Sequence, residues 1–265
     1  MERPFGIVTR PVSPVMIEVS HLIKRFGDLV AVDDVSFRVD DGQILGFLGP
    51  NGAGKTTTMR MITGFMPPTS GTVRVAGFDT VTDSMEVRRR IGYLPEHPPL
   101  YPDLTVSSYL GFVARLKGML RSEIREAIGH VASVCGLDDV RNRLVGHLSK
   151  GYRQRLGLAQ AVIHDPAVLV LDEPTIGLDP RQIIEIRQLI RSLGGKRTII
   201  LSTHILAEVT EVCEKVVIIN EGRVAVENTL DELTRGRSLE QAFLDAVSRE
   251  AGNASADEGV APGGT

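Results

Sequence analysis

The run Gly49-Pro50-Asn51-Gly52-Ala53-Gly54-Lys55-Thr56 sets two glycines four residues apart, followed at once by a lysine and a threonine. Glycines at that spacing let a backbone turn its N–H groups inward as a nest for an anion, and a helix opening at Gly54 adds its positive end. Lys55 is then placed to neutralise β- and γ-phosphates and the Thr56 hydroxyl to ligate Mg²⁺, with Thr57 grouped in the same nucleotide-binding segment. A second group is the pair Asp172-Glu173, delivered by the apolar run Leu169-Val170-Leu171. Carboxylates at the end of a buried strand lie where open α/β sheets bind ligands. Asp172 is the candidate metal ligand, and Glu173 the candidate general base that accepts a proton from an attacking water.

Such groups need a strand, a loop and a helix to hold them, and the flanks supply all three. Gln43 to Leu48 is a short apolar run that reads as a buried strand, and Lys55 to Ile62 has helix-forming composition. Ala167 to Leu171 is apolar throughout, as a strand covered on both faces requires. The run from helix Pro180–Leu193 through strand 198–201, helix 205–212 and strand 216–219 alternates in the βαβ manner. Earlier, Met16–Leu22 and 31–39 alternate around a Gly27-Asp28 turn, like antiparallel strands. Strands at 72–75 and 90–94 flank a short helix at 85–88, while residues 101–165 carry helical spacing such as Leu110, Val113, Leu116. The expected fold is α/β: a P-loop NTPase core with a mostly parallel sheet, an N-terminal antiparallel β layer and an inserted α-helical subdomain. Residues 1–15 read as a tail, 16–235 as the ATPase domain with the helical subdomain at about 101–165, and 236–251 as a C-terminal helix. The Gly/Ala/Ser-rich stretch 252–265 reads as a disordered tail.

Bulk properties narrow the partners. With 42% hydrophobic and 24% charged residues the composition is that of a globular protein, and a net charge of −3 without a Lys/Arg block gives no footprint for nucleic acid. Apolar runs are about five residues long, against the roughly 20 that a membrane-spanning helix needs. Cys135 and Cys213 stand far apart with no metal-ligand spacing, which predicts buried, reduced thiols in a cytoplasmic setting.

Between the two acidic and glycine motifs lies Leu148-Ser149-Lys150-Gly151-Tyr152-Arg153-Gln154-Arg155, which resembles the signature of the ATP-binding-cassette (ABC) family, LSGGQ followed by a basic residue. Lys150 and Tyr152 replace the central Gly and the Gln; Ser149 and Gly151 are kept. The resemblance implies that this segment opens a helix and caps the γ-phosphate held by an opposite subunit. It also implies that Asp179, in Pro174-Thr175-Ile176-Gly177-Leu178-Asp179-Pro180, touches the partner, that His204 contacts the γ-phosphate, and that Phe26 stacks on adenine. Glu96, in Ile91-Gly92-Tyr93-Leu94-Pro95-Glu96, stands where the family usually has Gln; as an acceptor-only carboxylate it is a candidate for Mg²⁺, directly or through water.

Glu96, the following loop 97–102 and the signature variant are similar to the branch that drives ABC-2-type permeases, with exporters and gliding-associated systems among its members; the resemblance spans most of 16–228. What it implies is an ATP-hydrolysing subunit with ATP and Mg²⁺ as cofactors, working with a second copy of itself or a homologous ATPase subunit and with separate transmembrane permease subunits, at the cytoplasmic face of the membrane. The expected permease contact is the helical subdomain near Leu100, Tyr101 and Tyr109. The alternative is a soluble ABC ATPase driving a non-transport mechanical process, and a non-hydrolysing scaffold is a third option that Glu173 opposes.

Overall fold

A computed structural model describes residues 15–257 of the 265-residue chain; of the tails expected at 1–15 and 252–265, residues 1–14 and 258–265 lie outside the described residues. β1 (Val15–Phe26) and β2 (Leu29–Asp40) pair antiparallel across Gly27-Asp28, so Val15, expected in the tail, is the first residue of a strand. β3 (Ile44–Leu48) enters the glycine loop and α1 (Lys55–Ile62) leaves it. β4 (Ser70–Val75) and the short β5 (Phe78–Asp79), which the sequence reading lacks, complete a four-stranded sheet in the order β2-β1-β4-β5. Then come α2 (Ser84–Arg90) and β6 (Ile91–Leu94).

The inserted subdomain holds α3 (Val106–Leu116), α4 (Arg121–Val134) and α5 (Lys150–Val162), with two single 3₁₀ turns at Asp138–Val140 and Val145–His147 between the last two. Thr105 caps α3 by accepting from the Ser108 N–H at 3.2 Å, which satisfies one of the otherwise orphaned first-turn donors. The chain returns to the core as β7 (Val168–Asp172), α6 (Pro180–Leu193), β8 (Thr198–Thr203), α7 (Leu206–Val212), β9 (Lys215–Asn220) and β10 (Arg223–Thr229). α6 has Asp179 as its cap and proline in its first turn, where a missing N–H costs no hydrogen bond. α8 (Leu230–Leu233) and α9 (Leu239–Asp257) follow. α9 continues past Gly252 into the stretch read as disordered; Ala251, Ala254 and Ala256, the strongest helix formers, outweigh the single glycine.

The six-stranded sheet runs β10-β9-β3-β8-β7-β6, with β9, β3, β8, β7 and β6 parallel and β10 turned back antiparallel. Side chains alternate between faces, so one strand serves two cores. Leu45, Phe47, Val168, Val170 and Ile200 pack toward the antiparallel layer and α1, whereas Leu48, Leu169, Leu171, Ile199 and Leu201 pack with the helical subdomain, α6 and α7. Every residue of β7 is buried, as its unbroken apolar run requires. Cys135 and Cys213 are free and buried, and burial pushes the Cys135 thiol up to about 12. Among the described residues no helix is long and apolar enough to cross a membrane.

Candidate active site

Strand register gathers the expected residues along one edge. Leu48 pairs with Thr203, Asp172 with Ser202, and Leu94 with Leu171, so the carboxyl ends of β3, β8, β7 and β6 lie level. Because β8 runs between β3 and β7, His204 emerges between the glycine loop and Glu173. That is the crevice where doubly wound sheets bind ligands.

The glycine loop is tightly enclosed. Gly54 has φ of 100°, and a Cβ there would sit 2.5 Å from the Ala31 carbonyl oxygen, so both conformation and space demand glycine. Lys55 is buried, its Nζ donating to the Gly49 and Pro50 carbonyls at 2.7 and 3.0 Å and lying 3.6 Å from Glu173 Oε1. The ammonium is thus folded over its own loop, where an incoming phosphate would meet it. Phe26, Asn51, Gly52, Thr56, Thr57 and Glu96 line a cavity of about 490 Å³ at this point. Phe26 is half exposed at its mouth, with Lys24 Nζ 5.3 Å from the ring centroid.

Glu173 has φ of 50°, in the left-handed region, a conformation that costs on the order of 1–3 kcal/mol for a residue with a Cβ. Its N–H donates to the Ser202 carbonyl at 2.8 Å, which holds the turn. The bend directs the carboxylate away from Asp172 and onto His204, whose Nδ1 is 2.9 Å from Oε2 and 3.0 Å from Oε1. One buried carboxylate therefore touches both Lys55 and His204.

Asp172 is in the opposite situation. It is fully buried, and neither carboxylate oxygen has a hydrogen-bond partner of normal geometry among the described residues. Burial raises its pKa above 3.8; the nearby Ser202 and Thr56 hydroxyls oppose the rise, and the fields of Glu173 and Glu96 add to it. An orphaned carboxylate with a threonine hydroxyl beside it fits a hard cation. No group of three or more His, Cys, Asp or Glu that could cage a metal occurs among the described residues. Mg²⁺, which takes few protein ligands and keeps phosphate and water oxygens, suits that sparse donor set.

The signature segment lies elsewhere. Ser149 caps α5 by accepting from the Tyr152 N–H at 3.4 Å, and Asp179 caps α6 by accepting from the Gln182 N–H at 3.0 Å. The two helix starts touch: a Cβ on Gly151 would sit 2.7 Å from Gln182 Cδ. Ser149, Gly151, Tyr152, Asp179 and Gln182 line their own cavity of about 470 Å³, which shares no residue with the one at Lys55. Leu148 is buried beneath it, Lys150 extends to Gly177, and the Tyr152 hydroxyl donates to Asp139 at 2.7 Å. Tyr109, expected at a contact surface, is buried and its hydroxyl donates to Gln160; it lies on the face of α3 that buries Val106, Leu110 and Ala114 against the rest of the subdomain. Tyr101 is exposed, with its ring against Tyr109 and Phe112.

Sequence reasoning missed Glu208. It is buried on α7 and accepts from the hydroxyls of Thr175 and Thr203, residues that flank Glu173 and His204. Within Leu206-Ala207-Glu208-Val209 nothing distinguishes it from a solvated helix glutamate.

Comparison with known proteins matches residues 32–176 to the family model described as ABC transporter. The chain is 42% identical over 222 residues to the bacitracin transport ATP-binding protein BcrA of Bacillus licheniformis, covering 83% of this chain and 72% of that one. It is 39% identical over 243 residues to the ABC transporter ATP-binding protein NatA of Bacillus subtilis, covering 88% and 99%. Among solved structures, the ATP-binding subunit of an ABC transporter superposes with a TM-score of 0.80 at 32% identity, covering 87% of this chain and 99% of that one. A dimeric ATP-binding cassette in a post-hydrolysis state with ADP and Pi bound superposes with a TM-score of 0.74 at 26% identity, covering 81% and 99%.

Proposed function

The chain belongs to the ABC transporter ATP-binding family and is the ATP-binding, ATP-hydrolysing subunit of such a transporter, and we propose that it drives a separate ABC-2-type permease by ATP-dependent dimer closure. The observation that supports the hydrolytic part of this reading most is the contact chain from Lys55 through Glu173 to His204, set beside the orphaned Asp172. In this reading the glycine loop and Lys55 hold the β- and γ-phosphates, Phe26 stacks on the adenine, and Thr56 and Asp172 hold Mg²⁺, with Glu96 beside them. The ion, when bound, supplies charge neutralisation at the triphosphate. Glu173 takes the proton of the attacking water, and His204 orients Glu173 and meets the γ-phosphate.

The site is half of a whole. Ser149 and Gly151 open on a separate cavity within one chain, so they serve the nucleotide of a second copy, with Asp179 at the same seam. ATP then favours the closed pair because its γ-phosphate is bridged only there, and hydrolysis removes the bridge. The bacitracin transport protein and a dimeric cassette among the relatives support this assignment. With no spanning helix among the described residues, the work reaches a membrane through a partner, for which the exposed Tyr101 beside Leu100 and Phe112 is the proposed contact, at the cytoplasmic face. The test is Glu173→Gln. Turnover should fall by roughly 10²–10⁴ with ATP binding retained, as loss of a general base requires; unaltered turnover in an ATPase assay removes Glu173 from the role.

A further inference from the structure

Glu208 is 1% exposed, yet it is a carboxylate surrounded by the apolar packing of α7. Its Oε1 accepts from Thr175 Oγ1 and its Oε2 from Thr203 Oγ1 at 2.7 Å. Thr203 Oγ1 in turn accepts from the Ile205 N–H at 3.1 Å. Both threonines are buried, and each stands at a point of consequence: Thr175 is two residues beyond Glu173, and Thr203 immediately precedes His204. One side chain therefore ties together the two segments that carry the Glu173–His204 contact.

Desolvation disfavours the charged form of Glu208 and raises its pKa, while the two hydroxyls and the more distant Arg187 oppose the rise. Arg187 itself is engaged with Glu211 at 3.0 Å. An apolar residue of similar volume would avoid desolvating a carboxylate but would leave the buried Thr175 and Thr203 hydroxyls without this acceptor, so the acid and the two threonines act as one unit. What the acid adds is geometry: two acceptor oxygens facing two hydroxyls, one in the turn after β7 and the other at the end of β8.

We propose that Glu208 is a positioning residue for ATP hydrolysis, bridging Thr175 and Thr203 so that Glu173 and His204 remain in contact. The proposal rests on the reading of Glu173 as general base, and it makes Glu208 a link between the 174–179 segment at the subunit seam and the reacting end of the site. Neither oxygen of Glu208 reaches the nucleotide cavity, so its effect passes through the other residues.

Purified full-length chain carrying Glu208→Ala, Glu208→Gln, Thr175→Val, Glu173→Gln or both Glu208→Ala and Glu173→Gln tests it. Steady-state kcat and KM are measured alongside titration with a fluorescent ATP analogue and thermal melting. Glu208→Ala should lower kcat by about 10–100-fold, the scale of a misplaced catalytic group, with KM and nucleotide affinity within about twofold. Glu208→Gln should recover most of that loss, since its amide offers an acceptor to one hydroxyl and a donor to the other. Thr175→Val should reproduce the kcat loss and keeps the test alive if the alanine variant folds poorly. In the Glu173→Gln background Glu208→Ala should cost nothing further, because its effect passes through a base already removed. Normal turnover in Glu173→Gln sinks the general-base reading. An inactive Glu173→Gln beside a fully active Glu208→Ala leaves that reading standing and overturns the bridge, as does a Glu208→Ala loss that persists undiminished in the double variant.

Discussion

Asp172 and Glu173 are neighbours in sequence and opposites in circumstance. Glu173 is turned by a left-handed backbone onto Lys55 and His204, so its charge is answered within the protein. Asp172 stays buried with both oxygens unanswered. Its raised pKa means that the folded, metal-free protein holds that proton more tightly than the unfolded chain does. That preference favours folding in acid, below the ordinary value of 3.8, and becomes a penalty that is complete once pH passes the folded value. Asp172→Asn should therefore stabilise the metal-free protein at neutral pH by roughly 1 kcal/mol, about 2–4 °C in melting temperature. The same variant should lose the extra melting shift that Mg²⁺ adds to ATP. Melting curves with and without Mg²⁺ decide it; a wild-type response to the ion shows that Asp172 does not hold it. The acid pair itself was legible in sequence because an apolar run of strand length delivered it. The bend that separates the two carboxylates was not, since a positive φ at a glutamate is imposed by the Ser202 contact and leaves no mark on residue type.

At the scale of elements, the start of α5 does two jobs that a single substitution separates. Ser149 is a helix cap by geometry, and its removal to alanine costs about 1 kcal/mol whatever the segment does. Aspartate caps as well as serine does, but it places a negative charge at a helix end that is proposed to receive a phosphate. Ser149→Asp should thus melt within a degree or two of wild type while losing most ATPase activity. Retained turnover reduces the segment to a structural cap. The elements around it show where sequence reasoning succeeds and where it stops. An unbroken apolar run such as β7 and an amphipathic helix such as α6 are legible because burial on both faces, or along one stripe of a helix, dictates residue type directly. The two-residue strand β5 has no period to read. The inward turn of Tyr109 and the burial of Glu208 depend on which neighbour packs against each helix, a tertiary fact that a residue's own chemistry does not carry.

Across the whole molecule, two half-sites lie in separate cavities, one at Lys55 and one at Ser149 and Gly151. A chain with an intact half of each kind can donate either half to a partner, which turns the proposed symmetry into a mixing experiment. Lys55→Ala abolishes the phosphate-holding half and Ser149→Asp the capping half, so either variant alone forms pairs with no complete site. In a heterodimer the Lys55 of the Ser149→Asp copy faces the Ser149 of the Lys55→Ala copy, and one complete site of two is restored. Random exchange at equal concentrations makes about half the dimers mixed, so the mixture should regain up to about one quarter of wild-type ATPase activity. The measurement is turnover of the mixture against each variant at the same total concentration. A mixture as inactive as its parents would show that each chain completes its own site, and the shared-site mechanism would fall with it.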